Sequence, residues 1–472
     1  MVTLDYIPSK RKGKLIIDDA DLFDIIRNEF SSLVNTSFHP NEKLRNKSIR
    51  EYAIGSSGLF DFGLYNEIRK ACIQYQVTDI TYTDTFKSEL VSDIKFEDLY
   101  DGFSYPHRDF QLECVKRCLT YGRGTIEIGT GGGKSFITAS LIENFRLCKS
   151  GKKMFAVVVV PGTTLVSQLQ KDFLDYKVPF TYDYWGVDKP LNYDVDVIIV
   201  NNEYVIGHYL DDTQFVKKVD LLIVDECHKC KKANQISKFA SKVHTKHKFG
   251  FTGTLPKENK DRWKILGLYG TLVVKKNSKE LRDEEYLCDV SISAIQLIHP
   301  RKRLSYKNEL DYLYTLDARN SLIKKVTDKL SKNTLILVNH IIHGESLLDK
   351  FSDAKYGGRV YFISGDTPLD DRLKVIADME VRYDMVVIAM SSIFSTGINI
   401  KNLHNILFVA GGKSFIRIVQ SIGRGLRLHK LKNKLTIIDI YDNLRYSSNH
   451  FASRSQIYDE EQIPWKTVEY KL

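Results

Sequence analysis

Ten short runs that are apolar on successive residues constrain this chain more than any other feature. The first series is Thr125–Ile128, Phe155–Val160, Val197–Val200, Leu221–Val224 and Lys248–Phe251. The second is Thr334–Val338, Arg359–Ile363, Met385–Ala389, Asn405–Val409 and Leu435–Ile440. A strand with one wet face alternates apolar and polar residues, whereas a strand covered on both faces has no reason to alternate. Such runs, separated by longer helical patterns, predict parallel sheets with helices on both faces. The fold class is therefore α/β, with two tandem parallel-sheet domains at 104–285 and 286–472. The charged stretch Lys275–Glu285 serves as the link between them. A length of 472 residues suits about three domains at ~150 residues each.

The third domain is 1–103, which reads as a small α+β module. Leu15–Ile17 predicts a short strand, and Ala20–Leu33 an amphipathic helix. A second helical stripe runs through Phe60–Gln74, Asn41–Arg50 reads as a loop, and Asp93–Gly102 joins the module to the first parallel-sheet domain. The first fourteen residues are polar and basic and lack the apolar segment of a secretory signal. No apolar run approaches the roughly 18 residues of a membrane span. Seven scattered cysteines in a long chain fit a reducing compartment rather than a disulfide scaffold. Cys227 and Cys230 have C-x-x-C spacing, but a zinc site needs a second pair and none stands at a useful distance. Lys+Arg 69 against Asp+Glu 59 leaves a net charge of +10, which permits a polyanionic partner without requiring one.

Two places carry candidate chemistry. Ile128-Gly129-Thr130-Gly131-Gly132-Gly133-Lys134-Ser135 follows a strand and opens a helix. Glycines let backbone N–H groups point inward at phosphate oxygens, and the helix N-terminus adds partial positive charge. Lys134 would reach the β- and γ-phosphates and the Ser135 hydroxyl would ligate Mg2+. The full phosphate-loop pattern wants glycine where Ile128 stands, and a plain Gly-rich turn is the bland alternative. The second place is Asp225-Glu226-Cys227-His228, directly after a buried strand. An acid there lies on the ligand-binding edge of a parallel sheet. Asp225 can hold Mg2+, and Glu226 can orient or deprotonate a water. Two solvated acids are the alternative.

Asp225-Glu226-Cys227-His228 resembles the DExH box of superfamily 2 helicases, and Gly131–Ser135 resembles their motif I. Further motifs occur in the family's order. Arg108–Gln111 is similar to the segment whose Gln reads adenine, Pro161–Leu165 to motif Ia, and Thr252-Gly253-Thr254 to motif III. Phe394–Asn399 is similar to motif V and Gln420–Arg427 to motif VI, Q-x-x-G-R-x-x-R. The resemblance implies RecA-like domains and an ATP- and Mg2+-dependent motor. Its catalytic residues would be Lys134, Asp225, Glu226, His228, Gln420, Arg424 and Arg427. The nucleotide would be held by Gln111, Gly129, Thr130, Gly131, Gly132, Gly133, Lys134, Ser135, Gly397 and Asn399, and the metal by Ser135 and Asp225. Arginine suits a γ-phosphate sensor because its guanidinium is always charged and grips oxygen pairs in a fixed fork. Candidates for gripping a nucleic-acid backbone are Gly162, Thr163, Asn201, Asn202, His340, Ser364, Gly365 and Thr396, each with an ordinary turn or cap role as its alternative.

Within that superfamily the chain resembles the UvsW-type phage helicases. Phe62-Gly63-Leu64, Ile68-Arg69-Lys70 and Cys72 are similar to their N-terminal region, and Ser391 to Leu403 to their motif V region. This implies a DNA helicase that unwinds and branch-migrates forked or four-way DNA in recombination, replication restart and repair. Its partners would be single-stranded and branched DNA with little sequence specificity, together with single-strand-binding or recombination proteins. It would act as a monomer in the cytoplasm of a phage-infected bacterium. Two readings compete: an RNA-dependent or restriction-system DExH translocase, and a nucleotide-dependent switch without motor activity.

Overall fold

The computed structural model describes residues 1–34, 49–90, 94–149, 152–212, 214–231, 235–300, 303–352, 357–394, 402–409 and 434–472. Two compact units divide the chain: 1–128 with 133–276, and 129–132 with 277–472. Among the described residues no helix is long and apolar enough to cross a membrane.

In the first unit, β1 (Val2–Ile7), β2 (Lys12–Ile17), β3 (Ser31–Val34), β4 (Ile49–Tyr52), β5 (Leu59–Asp61) and β6 (Ile80–Tyr82) build the N-terminal module. Its four-stranded sheet runs β5-β2-β1-β6, with β3 and β4 as a separate antiparallel pair. The helix Ala20–Glu29 is capped by Asp19, whose carboxylate accepts from the Asp21 and Leu22 amides. It ends four residues before the expected Leu33. Ser31-Ser32-Leu33-Val34 leaves the helix because pairing with β4 offers its backbone another set of partners, and β-branched Val34 suits a strand. The expected Phe60–Gln74 helix likewise starts later, at Tyr65, behind β5 and a short 3-10 turn.

The same unit holds β7 (Gly124–Ile128), β8 (Ala156–Val160), β9 (Tyr182–Trp185), β10 (Val197–Asn201), β11 (Leu221–Val224), β12 (Lys248–Thr252) and β13 (Leu272–Lys276). They form one all-parallel sheet in the order β13-β7-β12-β11-β8-β10-β9. Ala156, Val158 and Val160 enter one hydrophobic core, while Val157 and Val159 enter another on the opposite face. Leu221 and Ile223 split from Leu222 and Val224 in the same way. Both faces are covered, so the sequence does not alternate.

The N-terminal module packs against the helix Asn259–Tyr269 of this unit. Leu266 shares a core with Phe62, Leu64 and Ile68, and Phe30 meets Trp263 with ring centroids 5.3 Å apart. Two glycines permit the approach. A Cβ on Gly63 would lie 2.2 Å from the Leu266 carbonyl oxygen, and one on Gly267 would lie 2.7 Å from the Asp61 Cβ. Lys260 and Lys264 pair with Glu51 at 3.4 and 3.5 Å.

The second unit holds β14 (Asp289–Ile298), β15 (Thr334–Val338), β16 (Val360–Ile363), β17 (Val386–Met390), β18 (Asn405–Phe408), β19 (Lys434–Asp442) and β20 (Trp465–Lys471). This sheet is also all-parallel, ordered β16-β17-β15-β18-β19-β14-β20. The two α/β domains have the RecA-like arrangement of parallel sheet and covering helices. The expected link Lys275–Glu285 instead contains the end of β13 and a helix, Ser278–Asp283, capped by Asn277. The C-terminal region, which matched no motif, forms the helix Arg445–Glu460 and β20. Arg454 and Asp439 make a fully buried pair there, with Nε and Nη2 each donating at 2.8 Å and the Tyr458 hydroxyl donating to the same carboxylate at 2.6 Å.

Candidate nucleotide and strand-contact site

The candidate residues follow the strands of the sheet β13-β7-β12-β11-β8-β10-β9 at its carboxyl edge. After β7 the chain turns through Gly129, Thr130, Gly131 and Gly132 into the helix Lys134–Cys148. Gly131 and Gly133 have φ of +84° and +82°, a region open to glycine and costly for other residues. The Gly132 amide donates to the Gly129 carbonyl at 3.1 Å. Gln111 is buried near the start of its helix, and its Oε1 accepts from the Arg108 amide at 3.0 Å. A Cβ at Gly133 would stand 2.5 Å from Gln111 Nε2, so the adenine-reading candidate abuts the phosphate turn. Lys134 Nζ donates to the Ile128 carbonyl at 3.1 Å. Ser135 Oγ lies 2.9 Å from the Tyr176 hydroxyl, a partner 41 residues away that no spacing rule announces.

After β11 come the two acids. Asp225 is pushed up to about 6, first by burial and then by the Glu226 charge, with Lys134 pulling the other way. Burial also raises Glu226, but the close approach of His228 and the Lys134 charge outweigh it, leaving this carboxyl below its ordinary value. Glu226 has φ of +51°, and its amide donates to Asp225 Oδ1 at 2.9 Å. His228 Nδ1 lies 3.1 Å from Glu226 Oε2 and 3.0 Å from Thr252 Oγ1. The Thr252 hydroxyl donates to the Thr254 carbonyl at 3.0 Å. His228 therefore ties the acid turn after β11 to the Thr252-Gly253-Thr254 turn after β12, the neighbouring strand. Cys227 and Cys230 are buried in a hydrophobic core, burial raises both thiols, and Cys230 Sγ sits 3.3 Å from the Tyr269 hydroxyl.

The donor set suits a nucleotide with Mg2+. Lys134 supplies a positive charge beside two carboxyls, and Ser135 and Asp225 offer the hard oxygen atoms that Mg2+ prefers. The positive-φ glycines leave the turn without Cβ atoms at Gly131 and Gly133.

The strand-contact candidates of this unit lie farther along the same edge, after β8 and β10. Gly162 has φ of +88° and nothing within 4 Å of an added Cβ, so its surroundings are open. Thr163 is exposed. Asn201 is buried, and its side chain accepts from the Tyr204 amide at 2.7 Å, capping the helix Asn202–His208. Asn202 is half-buried. In the second unit, His340 is exposed after β15, with its ring 4.9 Å from Tyr314. Ser364 is buried after β16 and accepts from the Asp366 amide at 3.3 Å, and Gly365 is exposed. Thr396, Gly397, Asn399, Gln420, Arg424 and Arg427 lie outside the described residues.

Residues 104–257 match the family described as type III restriction enzyme, res subunit, and residues 317–429 match the helicase conserved C-terminal domain. The ATP-dependent DNA helicase uvsW of Enterobacteria phage T4 is 26% identical over 475 residues, covering 91% of this chain and 92% of that one. The DNA 3'-5' translocase XPB2 of Sulfurisphaera tokodaii is 26% identical over 273 residues, 56% of this chain and 56% of that one. The crystal structure of the Pyrococcus furiosus Hef helicase domain matches with a TM-score of 0.52 and 14% identity, over 74% of this chain and 98% of that one, a likeness of fold.

Proposed function

We propose that this chain, an ATP-dependent helicase of superfamily 2 resembling UvsW, is a DNA motor that unwinds and branch-migrates forked or four-way DNA in recombination, replication restart and repair. The observation that carries this reading is a shared edge. The helix start at Gly133 and Lys134 after β7, the turns after β12 and β11 and the open turn at Gly162 after β8 follow neighbouring strands of one sheet. A nucleotide site beside an open turn is what coupling fuel to a strand requires.

In this reading residues 1–103 bind nucleic acid, 104–285 bind ATP and 286–472 form the second motor domain. Gln111 reads the adenine, and Gly129, Thr130, Gly131, Gly132 and Gly133 cradle the phosphates through their amides. Lys134 neutralises the β- and γ-phosphates, while Ser135 and Asp225 would hold Mg2+, which when bound neutralises charge on the transferring phosphoryl. Ser135 would exchange its Tyr176 partner for that role. Glu226 orients the attacking water, with His228 beside its carboxylate and Thr252 holding the His228 ring. Arg424 and Arg427 supply charge to the γ-phosphate, with Gln420, Gly397 and Asn399 beside the nucleotide. Gly162, Thr163, Asn202, His340, Ser364, Gly365 and Thr396 contact the phosphate backbone, which is gripped without reading sequence. Asn201 acts indirectly, by capping the helix that carries Asn202. The phage relative supports action in the cytoplasm of an infected bacterium.

The test is ATP hydrolysis measured with single-stranded DNA, forks, four-way junctions and RNA. Stimulation strongest with branched DNA and absent with Lys134→Ala is expected. Equal stimulation by RNA and DNA refutes the DNA assignment, and hydrolysis indifferent to every nucleic acid refutes the motor.

A further inference from the structure

The last strand of the second sheet, β20, has the sequence Trp465-Lys-Thr-Val-Glu-Tyr-Lys471, and every residue of it is exposed. It pairs with β14 on one side and, among the described residues, with no strand on the other. Trp465, Val468, Tyr470 and Leu472 remain 36%, 53%, 44% and 37% exposed. This strand is open along one edge, and besides its ladder to β14 it is held by Trp465, which meets Asp459 and Phe451, and by a side-chain hydrogen bond between Thr467 and Tyr441. We propose that β20 is a self-association edge: two copies of this chain join antiparallel through their β20 strands, with Val468 on the two-fold axis.

The backbone sets the register. The Pro464 carbonyl accepts from the Ile292 amide and the Leu472 amide donates to the Ile298 carbonyl, so the even-numbered residues face β14. In a parallel ladder each residue turns its N–H and C=O to the same side and its neighbour turns them to the other. Trp465, Thr467, Glu469 and Lys471 therefore aim their backbone groups outward. Centring an antiparallel pair on Val468 sets Trp465 against Lys471 of the second copy and Thr467 against Glu469. These are the outward-facing residues, and about eight new backbone hydrogen bonds result. A two-fold axis perpendicular to the sheet keeps each residue on its own face, so only residues of matching parity can oppose one another, as they do here.

The side chains are complementary in this register. Lys471 opposes the Trp465 ring, Lys466 opposes the Tyr470 ring, Glu469 opposes the Thr467 hydroxyl and Val468 opposes itself. Cations over aromatic rings and a hydroxyl against a carboxylate are favourable cross-strand pairs, and no like charges stand directly opposite. The two Glu469 side chains meet only on a diagonal, each beside Lys471 of its own strand. Trp465 is already fixed for the contact, because its Nε1 donates to Asp459 at 2.8 Å and its ring meets Phe451 with centroids 5.9 Å apart.

Sedimentation equilibrium on the full chain from about 1 to 100 µM tests this. Mass rising toward twice that of the chain is expected. Thr467→Glu puts two like-charge pairs across the axis and should weaken the dimer at least tenfold, whereas Thr467→Lys, facing Glu469, should keep or tighten it. Glu469→Pro removes one outward N–H and leaves the β14 ladder intact, so it should also dissociate the dimer. Val468→Cys should link two copies when oxidised, because non-hydrogen-bonded antiparallel pairs stand within disulfide reach, whereas Lys466→Cys, facing Tyr470, should not. A chain monomeric throughout, with its lysines simply guarding the edge, overturns the proposal. So does a dimer indifferent to Thr467→Glu and Glu469→Pro.

Discussion

Replacing Gly133 with alanine isolates the geometry of the phosphate turn. At φ of +82° a non-glycine residue costs about 1–2 kcal/mol. The new Cβ would also stand 2.5 Å from Gln111 Nε2, so the amide must move and give up its bond from the Arg108 amide, worth about 1 kcal/mol. Without ligand the turn can relax. With phosphate bound, the amides must return to the strained arrangement, so the cost of about 2–3 kcal/mol falls on affinity. Nucleotide binding should weaken about 30- to 150-fold by fluorescence titration, at 1.4 kcal/mol per tenfold. Gln111→Ala in the Gly133→Ala background should recover about fivefold relative to additive single effects, the signature of a contact between the two. Affinity within threefold of the unaltered chain, or strictly additive effects, refutes the reasoning.

Two further outcomes concern stability. Gly63→Ala drives a methyl group into the backbone of the Asn259–Tyr269 helix, and thermal unfolding should show a loss of about 1–3 kcal/mol; an unchanged midpoint counts against that packing. Arg454→Met leaves the Asp439 carboxylate buried with, among the described residues, the Tyr458 hydroxyl as its remaining side-chain donor, and denaturant unfolding should register a loss of about 3–5 kcal/mol, most of it regained when Asp439→Leu is added.

The sequence exposes the centre of each sheet better than its margins. Phe155–Val160 and Leu221–Val224 are legible because burial on both faces removes every polar residue from them. Tyr182–Trp185, Leu272–Lys276 and Trp465–Lys471 sit at sheet edges, where one face or both meet water, so their mixed composition resembles that of loops. The three-residue β5 and β6 are set by pairing within the N-terminal module rather than by any periodicity of their own, whereas β1 alternates buried Val2 and Leu4 with Thr3 and Asp5. At the site, Lys134, Asp225 and Glu226 are legible because their chemistry is tied to turns after strands. The Ser135–Tyr176 bond and the 2.5 Å approach at Gly133 are not, since they join residues 41 and 22 positions apart in sequence through tertiary packing. Asn201 shows the opposite case. Its position after a strand suggests a ligand contact, yet its side chain is committed to starting the next helix.

The seam between the N-terminal module and the Asn259–Tyr269 helix has a practical corollary. Leu266 and Trp263 are shielded by Phe62, Leu64 and Phe30, so severing the chain near residue 104 would uncover an oily strip instead of releasing a self-sufficient engine. A shortened version that clumps or loses heat resistance would report on that bared strip, and says nothing about whether the missing piece touches DNA.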